Sequence, residues 1–161
     1  MLWYLVQHGR ALPEDVDPER SLSSEGIKEV GAAARGLKLL GIKPHAIFSS
    51  TKKRSIQTAE LIASILNFPN EQVVKSDVFR PSGSPEEISK FLKEYSKPAQ
   101  SILIAGHMPG LQYLADALIG GSNTVAFVNA GVLCIESEGI AFGTGRVLWY
   151  IRPEQFELMK D

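Results

Sequence analysis

The sequence predicts a three-layer α/β/α sandwich around a mainly parallel sheet, with an antiparallel strand near the C-terminus. Short apolar runs, typical of strands covered on both faces, alternate with amphipathic segments of helical period, and this alternation predicts the sandwich. After residue 124 the apolar runs follow one another without a helical segment, which indicates hairpin neighbours and an antiparallel strand. The length of 161 residues fits a single domain over 1–161.

The first half of the chain supplies three strands and two helices. A strand at 2–6 leads into a polar loop at 11–21, after which Ser23 or Ser24 can cap a helix. That helix is predicted to end at Gly41 and Pro44. Its inward face is predicted to carry Ile27, Val30, Ala34 and Leu37. The remaining predicted elements are a strand at 46–49, a helix at about 53–66 and a short strand at 73–75.

The second half begins with a loop at 76–85 that contains two prolines and a glycine. Pro85 suits the first turn of the next helix, which is followed by a buried-type strand at 101–105. A turn at 106–110 precedes a fourth helix. Three short strands are then predicted at 124–128, 132–136 and 146–151.

Composition restricts the class of partner. The net charge of −1 argues against an electrostatic nucleic-acid binder. No apolar run approaches the ~18 residues that a membrane span needs, and no signal peptide is recognisable, so a cytoplasmic protein is expected. Cys134 is the only cysteine and cannot form an internal disulfide; it is interpreted as a small buried residue.

Polar side chains stand directly after three of the predicted parallel strands, where ligands bind in open α/β sheets. These places are 7–10, 49–54 and 106–110. His8 and His107 each have a glycine neighbour that allows a ligand close to the backbone, and Arg54 follows the second strand. Two imidazoles and a guanidinium at one edge suit a dianionic tetrahedral group such as phosphate.

Each of these residues also has a structural interpretation. A lone histidine at a strand end is more often a hydrogen-bonded structural residue, and a lone arginine at a helix start is usually solvated. His8 and His107 together could suggest a metal, but no H-x-x-x-H or C-x-x-C spacing supplies further ligands. Neither a metal nor another cofactor is therefore expected. His45 is assigned no role.

Four motifs in order resemble the histidine phosphatase superfamily, which has the phosphoglycerate-mutase-like fold. The first strand ends in Q-H-G at 7–9, where the family has R-H-G, and L-S-S-E-G at 22–26 matches L-[ST]-x-x-G. The segment S-T-K-K-R-S-I-Q-T-A at 50–59 matches S-x-x-x-R-[AS]-x-Q-T-A, and a strand ends in A-G-H at 105–107. The short chain and the turn at 127–132 resemble the compact branch that contains bacterial phosphohistidine phosphatases.

The resemblance implies the roles of the site residues. His8 would be the nucleophile that forms a phosphohistidine, with its tautomer fixed by a backbone carbonyl near Gly9 or Gly26. Arg54 and His107 would hold the phosphoryl oxygens, and no metal would be required. Gln7 departs from the family arginine and carries no charge. Either Arg10 supplies that charge, or the site is weakened; Arg80 is the next candidate after Arg10.

The predicted activity is hydrolysis of a phosphoryl group. The phosphate-binding residues would be Gln7, Gly9 and Arg10 beside the three catalytic residues, with Asp77 as a candidate general acid. The substrate would be phosphohistidine in a protein, such as a histidine-containing phosphotransfer domain, or a small phosphoester. The alternative is a phosphate- or phosphopeptide-binding module with weakened catalysis. A mutase is disfavoured because the chain lacks cap segments.

Overall fold

A computed structural model describes residues 1–95 and 100–160. The strands are β1 (Leu2–Gln7), β2 (Ala46–Ser49), β3 (Val74–Lys75), β4 (Ser101–Gly106), β5 (Val132–Glu136) and β6 (Arg146–Ile151). The α-helices are α1 (Ser24–Leu39), α2 (Lys53–Ile65), α3 (Pro85–Glu94), α4 (Gly110–Ile119) and α5 (Pro153–Phe156). These bounds reproduce the predicted alternation of strand and helix, with α5 as an addition.

The six strands form one sheet in the order β3-β2-β4-β1-β5-β6. The first four strands of this order pair in parallel, whereas β5 runs antiparallel to both β1 and β6. The prediction of a mainly parallel sheet with an antiparallel strand near the C-terminus is therefore confirmed. Gln7 is in register with Gly106, so the residues that follow them, His8 and His107, leave the sheet side by side.

Helices cover both faces of the sheet, which gives the predicted three layers. One face packs on α1, α2 and α5, and the other packs on α3 and α4. Neighbouring residues of β1 divide between the two cores: Val6 packs on the first side and Leu5 on the second, and both are fully buried. Two covered faces explain why β1 and β4 are almost continuously apolar.

The helix ends follow the expected capping chemistry. Ser23 is the N-cap of α1, where its hydroxyl accepts a hydrogen bond from the Gly26 N–H at 3.0 Å. Pro85 occupies the first turn of α3, and Ser84 and Glu87 form a capping box there. The Ser23 N–H also donates to the Arg10 carbonyl at 2.9 Å, which holds the start of α1 against the residues that follow β1.

Two predictions of structure are wrong. Residues 124–128 form no strand, because side chains rather than a neighbouring strand satisfy the backbone: the Thr124 N–H donates to Asp116 and the Val128 N–H donates to the Tyr150 hydroxyl. Ile27 is 51% exposed and does not belong to the inward face of α1. It lies in the first turn of the helix.

Candidate active site

His8 lies directly after β1 and is held by three hydrogen bonds. Its N–H donates to the Gly106 carbonyl at 3.0 Å, and its carbonyl accepts from the Asn129 side-chain amide at 2.9 Å. Its Nδ1 lies 2.7 Å from the Gly9 carbonyl oxygen. A carbonyl can only accept, so Nδ1 carries the proton and Nε2 has the free lone pair. Of the two carbonyls expected to fix this tautomer, the structure selects that of Gly9.

Burial lowers the pKa of His8 to about 4. The hydrogen bond to the Gly9 carbonyl opposes this shift, and the positive charges of Arg54 and Arg20 add to it. The imidazole is therefore neutral at neutral pH, which is the protonation state that a nitrogen nucleophile needs.

Arg54 and His107 converge on His8, although the three residues are far apart in the sequence. Arg54 lies in the first turn of α2, and its Nε–H donates to the free Nε2 of His8 at 3.3 Å. The rings of His8 and His107 have centroids 5.0 Å apart. The common position after neighbouring parallel strands thus brings the predicted side chains together at one edge of the sheet.

His107 is 2% exposed, and its Nε2 lies 2.6 Å from the Ser50 hydroxyl oxygen. Burial, followed by the electrostatic effects of His8, Arg54 and Lys52, lowers the pKa of His107 to about 3. His107 is therefore a neutral hydrogen-bonding group at neutral pH, and the fixed positive charge beside His8 comes from arginine.

The residue after His8 has to be a glycine because α1 lies close to its backbone. A Cβ atom at Gly9 would lie 2.6 Å from Cγ2 of Val30 and 3.0 Å from the Gly26 carbonyl oxygen. The Gly9 N–H donates to the Thr58 hydroxyl at 3.1 Å, and that hydroxyl donates to the Arg54 carbonyl at 2.8 Å. Thr58 of the Q-T-A motif thus ties the loop of the nucleophile to the helix that carries the arginine.

Gln7 is partly buried at the end of β1. Its carbonyl accepts from the Ala130 N–H at 2.9 Å, so the turn before β5 fixes its backbone. Its side-chain Oε1 is buried and has no hydrogen-bond partner among the described residues. An unpaired buried amide oxygen has a cost, which a bound donor would remove.

Arg10, predicted to bind phosphate, forms ion pairs outside the cluster of His8, Arg54 and His107. Its guanidinium pairs with Glu25 and Glu29, both at 3.1 Å, and its side chain is 58% exposed. These carboxylates lie on α1 and draw the side chain to the helix surface. Arg80, the next candidate, is likewise engaged by the Glu87 carboxylate at 3.1 Å.

Arg20 is a positive charge near the site that the sequence analysis missed. It lowers the pKa of both His8 and Arg54, which Arg10 does not. Its Nε–H donates to the Leu12 carbonyl at 3.1 Å. It lines an open groove of about 530 Å³ together with Lys52 and Arg54. In the sequence, the available signal for Arg20 was its position two residues before the L-S-S-E-G motif.

Asp77, the candidate general acid, does not contact His8, Arg54 or His107 within the part of the chain that is described. It begins a 3₁₀ turn, its side chain is 71% exposed, and its carboxylate lies 3.9 Å from the Arg80 guanidinium. Within residues 1–95 and 100–160, no group of three His, Cys, Asp or Glu side chains is placed to hold a metal ion. None of the helices described is both long and apolar enough to cross a membrane.

Comparison with known proteins shows what the chain is similar to in sequence and in fold. The model of the histidine phosphatase superfamily (branch 1) matches residues 3–79. The chain is similar to this superfamily over that segment. It is 24% identical over 159 residues to the phosphohistidine phosphatase SixA of Escherichia coli, covering 98% of this chain and 97% of that protein.

Two further similarities extend over nearly the whole chain. An uncharacterised protein of Picosynechococcus is 27% identical over 161 residues, which covers 96% of this chain and 93% of that protein. A structure of the protein histidine phosphatase SixA complexed with tungstate superimposes with a TM-score of 0.85 at 23% identity, covering 95% and 97% of the two chains. The fold is thus that of the compact SixA-type proteins.

The two lowered histidine pKa values predict the pH dependence of the protein. We expect His8 and His107 to titrate near pH 4 and pH 3, as followed by the imidazole NMR signals. In the unfolded chain both groups titrate near ~6.5, so the unfolded state binds more protons below that pH. The free energy of unfolding should therefore be lower at pH 5 than at pH 7. Titration of both rings near neutrality would contradict this prediction.

Proposed function

We propose that the protein hydrolyses phosphoryl groups through a covalent phosphohistidine on His8, and that its substrate is phosphohistidine in another protein. The observation that carries the proposal is the state of His8: its Nδ1 proton is held by the Gly9 carbonyl, while Nε2 meets Arg54 and lies beside His107. This is the arrangement of a neutral nitrogen nucleophile flanked by donors for an anionic substrate.

In the first step the Nε2 lone pair attacks phosphorus, and the bond from phosphorus to the leaving group breaks. The Arg54 N–H that contacts Nε2 has to move to a phosphoryl oxygen, which frees the lone pair at the moment the anion binds. In the second step water attacks phosphorus, the bond to Nε2 breaks, and inorganic phosphate leaves with His8 neutral again.

The substrate class follows from the leaving group. An alkoxide needs a proton from a general acid, but within the described ranges the exposed Asp77 does not contact the three site residues. The imidazole of a phosphohistidine departs more readily than an alkoxide, so it tolerates such a site. The relative from Escherichia coli bears the name phosphohistidine phosphatase, which supports the same substrate. The groove beside Arg54 is open, which suits a protein substrate.

The test is a comparison of three substrates: a phosphorylated histidine-containing phosphotransfer domain, an aryl phosphate and an alkyl phosphate. We expect kcat/KM to fall in that order, and we expect the same values with EDTA present. A higher kcat/KM for the alkyl phosphate than for the phosphorylated domain would contradict the proposed substrate.

Gln7 favours a second candidate, a module that binds phosphate or a phosphopeptide with little turnover, because the family arginine is absent. The same assay separates the two functions. Tight binding of the phosphorylated domain without release of inorganic phosphate would support the binding module and contradict the proposed hydrolase.

The charge that Gln7 lacks is expected to come from Arg20 rather than Arg10. Losing one preorganised phosphate donor costs ~10²-fold or more, so Arg20→Ala should lower kcat/KM by about that factor. Arg10→Ala serves as the matched control and should stay within about 3-fold of wild type, because exposed ion pairs such as those of Arg10 contribute little. The converse ranking of these two variants would contradict this assignment.

Gln7→Arg tests whether the charge from Arg20 suffices. If a charge is still missing near the phosphoryl group, the new guanidinium should raise kcat by about 10-fold, equivalent to ~1.4 kcal/mol. If Arg20 already supplies it, the change should be small. We expect the small change in wild type and about 10-fold activation in the Arg20→Ala background.

A further inference from the structure

Ser50 and His107 form a buried hydrogen-bonded pair beside the nucleophile. Ser50 follows β2, His107 follows the neighbouring strand β4, and their exposed fractions are 0% and 2%. The distance of 2.6 Å between the Ser50 Oγ and the His107 Nε2 is at the short end for such a bond. Because a neutral imidazole carries a proton on only one of its two nitrogens, the direction of this hydrogen bond fixes the position of the proton on His107.

The surroundings of Ser50 determine that direction. Its Oγ already accepts a hydrogen bond from the Lys52 backbone N–H at 3.2 Å. If His107 also donated to this oxygen, the hydroxyl hydrogen would have no acceptor among the described residues, and a buried unsatisfied donor is costly. In the arrangement that leaves no buried donor of Ser50 unpaired, the Lys52 N–H donates to the Ser50 Oγ, and the Ser50 hydroxyl donates to Nε2 of His107.

In that arrangement the proton of the neutral His107 ring lies on Nδ1. This atom is buried and has no hydrogen-bond partner among the described residues. The ring centroid is 5.0 Å from that of His8, so a phosphoryl group on His8 would be a neighbour of His107. The unpaired Nδ1–H is therefore a donor for which residues 1–95 and 100–160 offer no acceptor.

We propose that Ser50 is a positioning residue that holds His107 in the Nδ1–H tautomer, so that this N–H is reserved for a phosphoryl oxygen in the transition state. The inference rests on the proposed function of His8. Ser50 itself forms no bond to phosphorus and transfers no proton; it sets the direction of the hydrogen bond that His107 can donate. Hydrogen-bond partners that orient metal-binding histidines change activity by ~10–100-fold when they are removed, and we expect a loss of similar size here.

The kinetic test uses Ser50→Ala and Ser50→Thr, with Ser55→Ala as the matched control. Ser55 is also fully buried, and its hydroxyl donates to the Ala105 carbonyl at 2.8 Å rather than to His107. We expect Ser50→Ala to lower kcat by about 10–100-fold with KM nearly unchanged, and we expect Ser50→Thr to restore most of it. Ser55→Ala should retain kcat within about 3-fold, even if it lowers the free energy of unfolding as much as Ser50→Ala does.

A measurement on the wild-type protein keeps the inference testable if Ser50→Ala does not fold. The ¹⁵N NMR shifts of His107 at pH 7 should show the proton on Nδ1. A proton on Nε2 would overturn the proposal, as would an unaltered kcat in Ser50→Ala or an equal loss in Ser55→Ala. The NMR result is independent of turnover, so failure here is distinguishable from failure of the proposed function, which is tested by the covalent intermediate on His8.

Discussion

Replacing His8 by Asn should lower kcat by about 10⁴-fold or more, because removal of a covalent nucleophile eliminates the pathway through the intermediate. Asn retains a polar side chain that can still bond to the Gly9 carbonyl, so the loop should keep its conformation. The effect should be on kcat, measured with saturating substrate, while binding of inorganic phosphate should change much less.

His45→Asn is the matched control for this variant. His45 is also a histidine with a hydrogen bond, in which its Nδ1 lies 3.0 Å from the Ser101 hydroxyl oxygen. It stands before β2, at the opposite end of the sheet from His8. His45→Asn should retain kcat within about 2-fold, since no substrate atom would be near it. Substantial turnover by His8→Asn would show that His8 is not the nucleophile.

Arg54→Ala should have the second largest effect, a loss of about 10³-fold in kcat/KM, because one guanidinium at a transferring phosphoryl group is worth ~10³-fold or more. Arg54→Lys should recover only part of this loss, since a lysine is a point charge and cannot bridge two phosphoryl oxygens. Removing the positive charge should also raise the pKa of His8, which that charge holds down.

Arg35→Ala is a suitable control for the loss of an arginine. Arg35 is exposed on the surface of α1 and lines a different cavity from the groove beside Arg54. Its removal should leave kcat/KM within about 2-fold of wild type. If Arg54→Ala were as mild as Arg35→Ala, a different residue would have to neutralise the phosphoryl group.

The sequence was sufficient to predict the fold class and the meeting of His8, Arg54 and His107, because hydrophobic periodicity is a local signal and parallel strands end at one edge of a sheet. It was insufficient to predict the position of the Arg10 side chain. This side chain pairs with Glu25 and Glu29, and these contacts depend on the packing of α1. Proximity to the nucleophile in sequence did not predict where a long, flexible side chain would find its partner.

Arg20 and Ser50 could not be assigned roles from the sequence for a related reason. Arg20 stands in a loop twelve residues after His8, and only the folded loop returns it to the site. Ser50 lies within a recognised motif, but its hydrogen bond to His107 joins residues 57 positions apart. The prediction of a strand at 124–128 was wrong because it rested on the β-propensity of these residues. In the structure, the side chains of Asp116 and Tyr150 accept hydrogen bonds from this backbone instead.

The most direct test of the central claim is to trap the intermediate. The protein is mixed with ³²P-labelled substrate, quenched without acid because phosphohistidine is acid-labile, and the labelled residue is located by mass spectrometry. A phosphoryl group on Nε2 of His8, formed and lost at rates that account for turnover, is the predicted result. Label on a serine, an aspartate or His107, or turnover that proceeds with no labelled protein at any time, would contradict a covalent mechanism at His8.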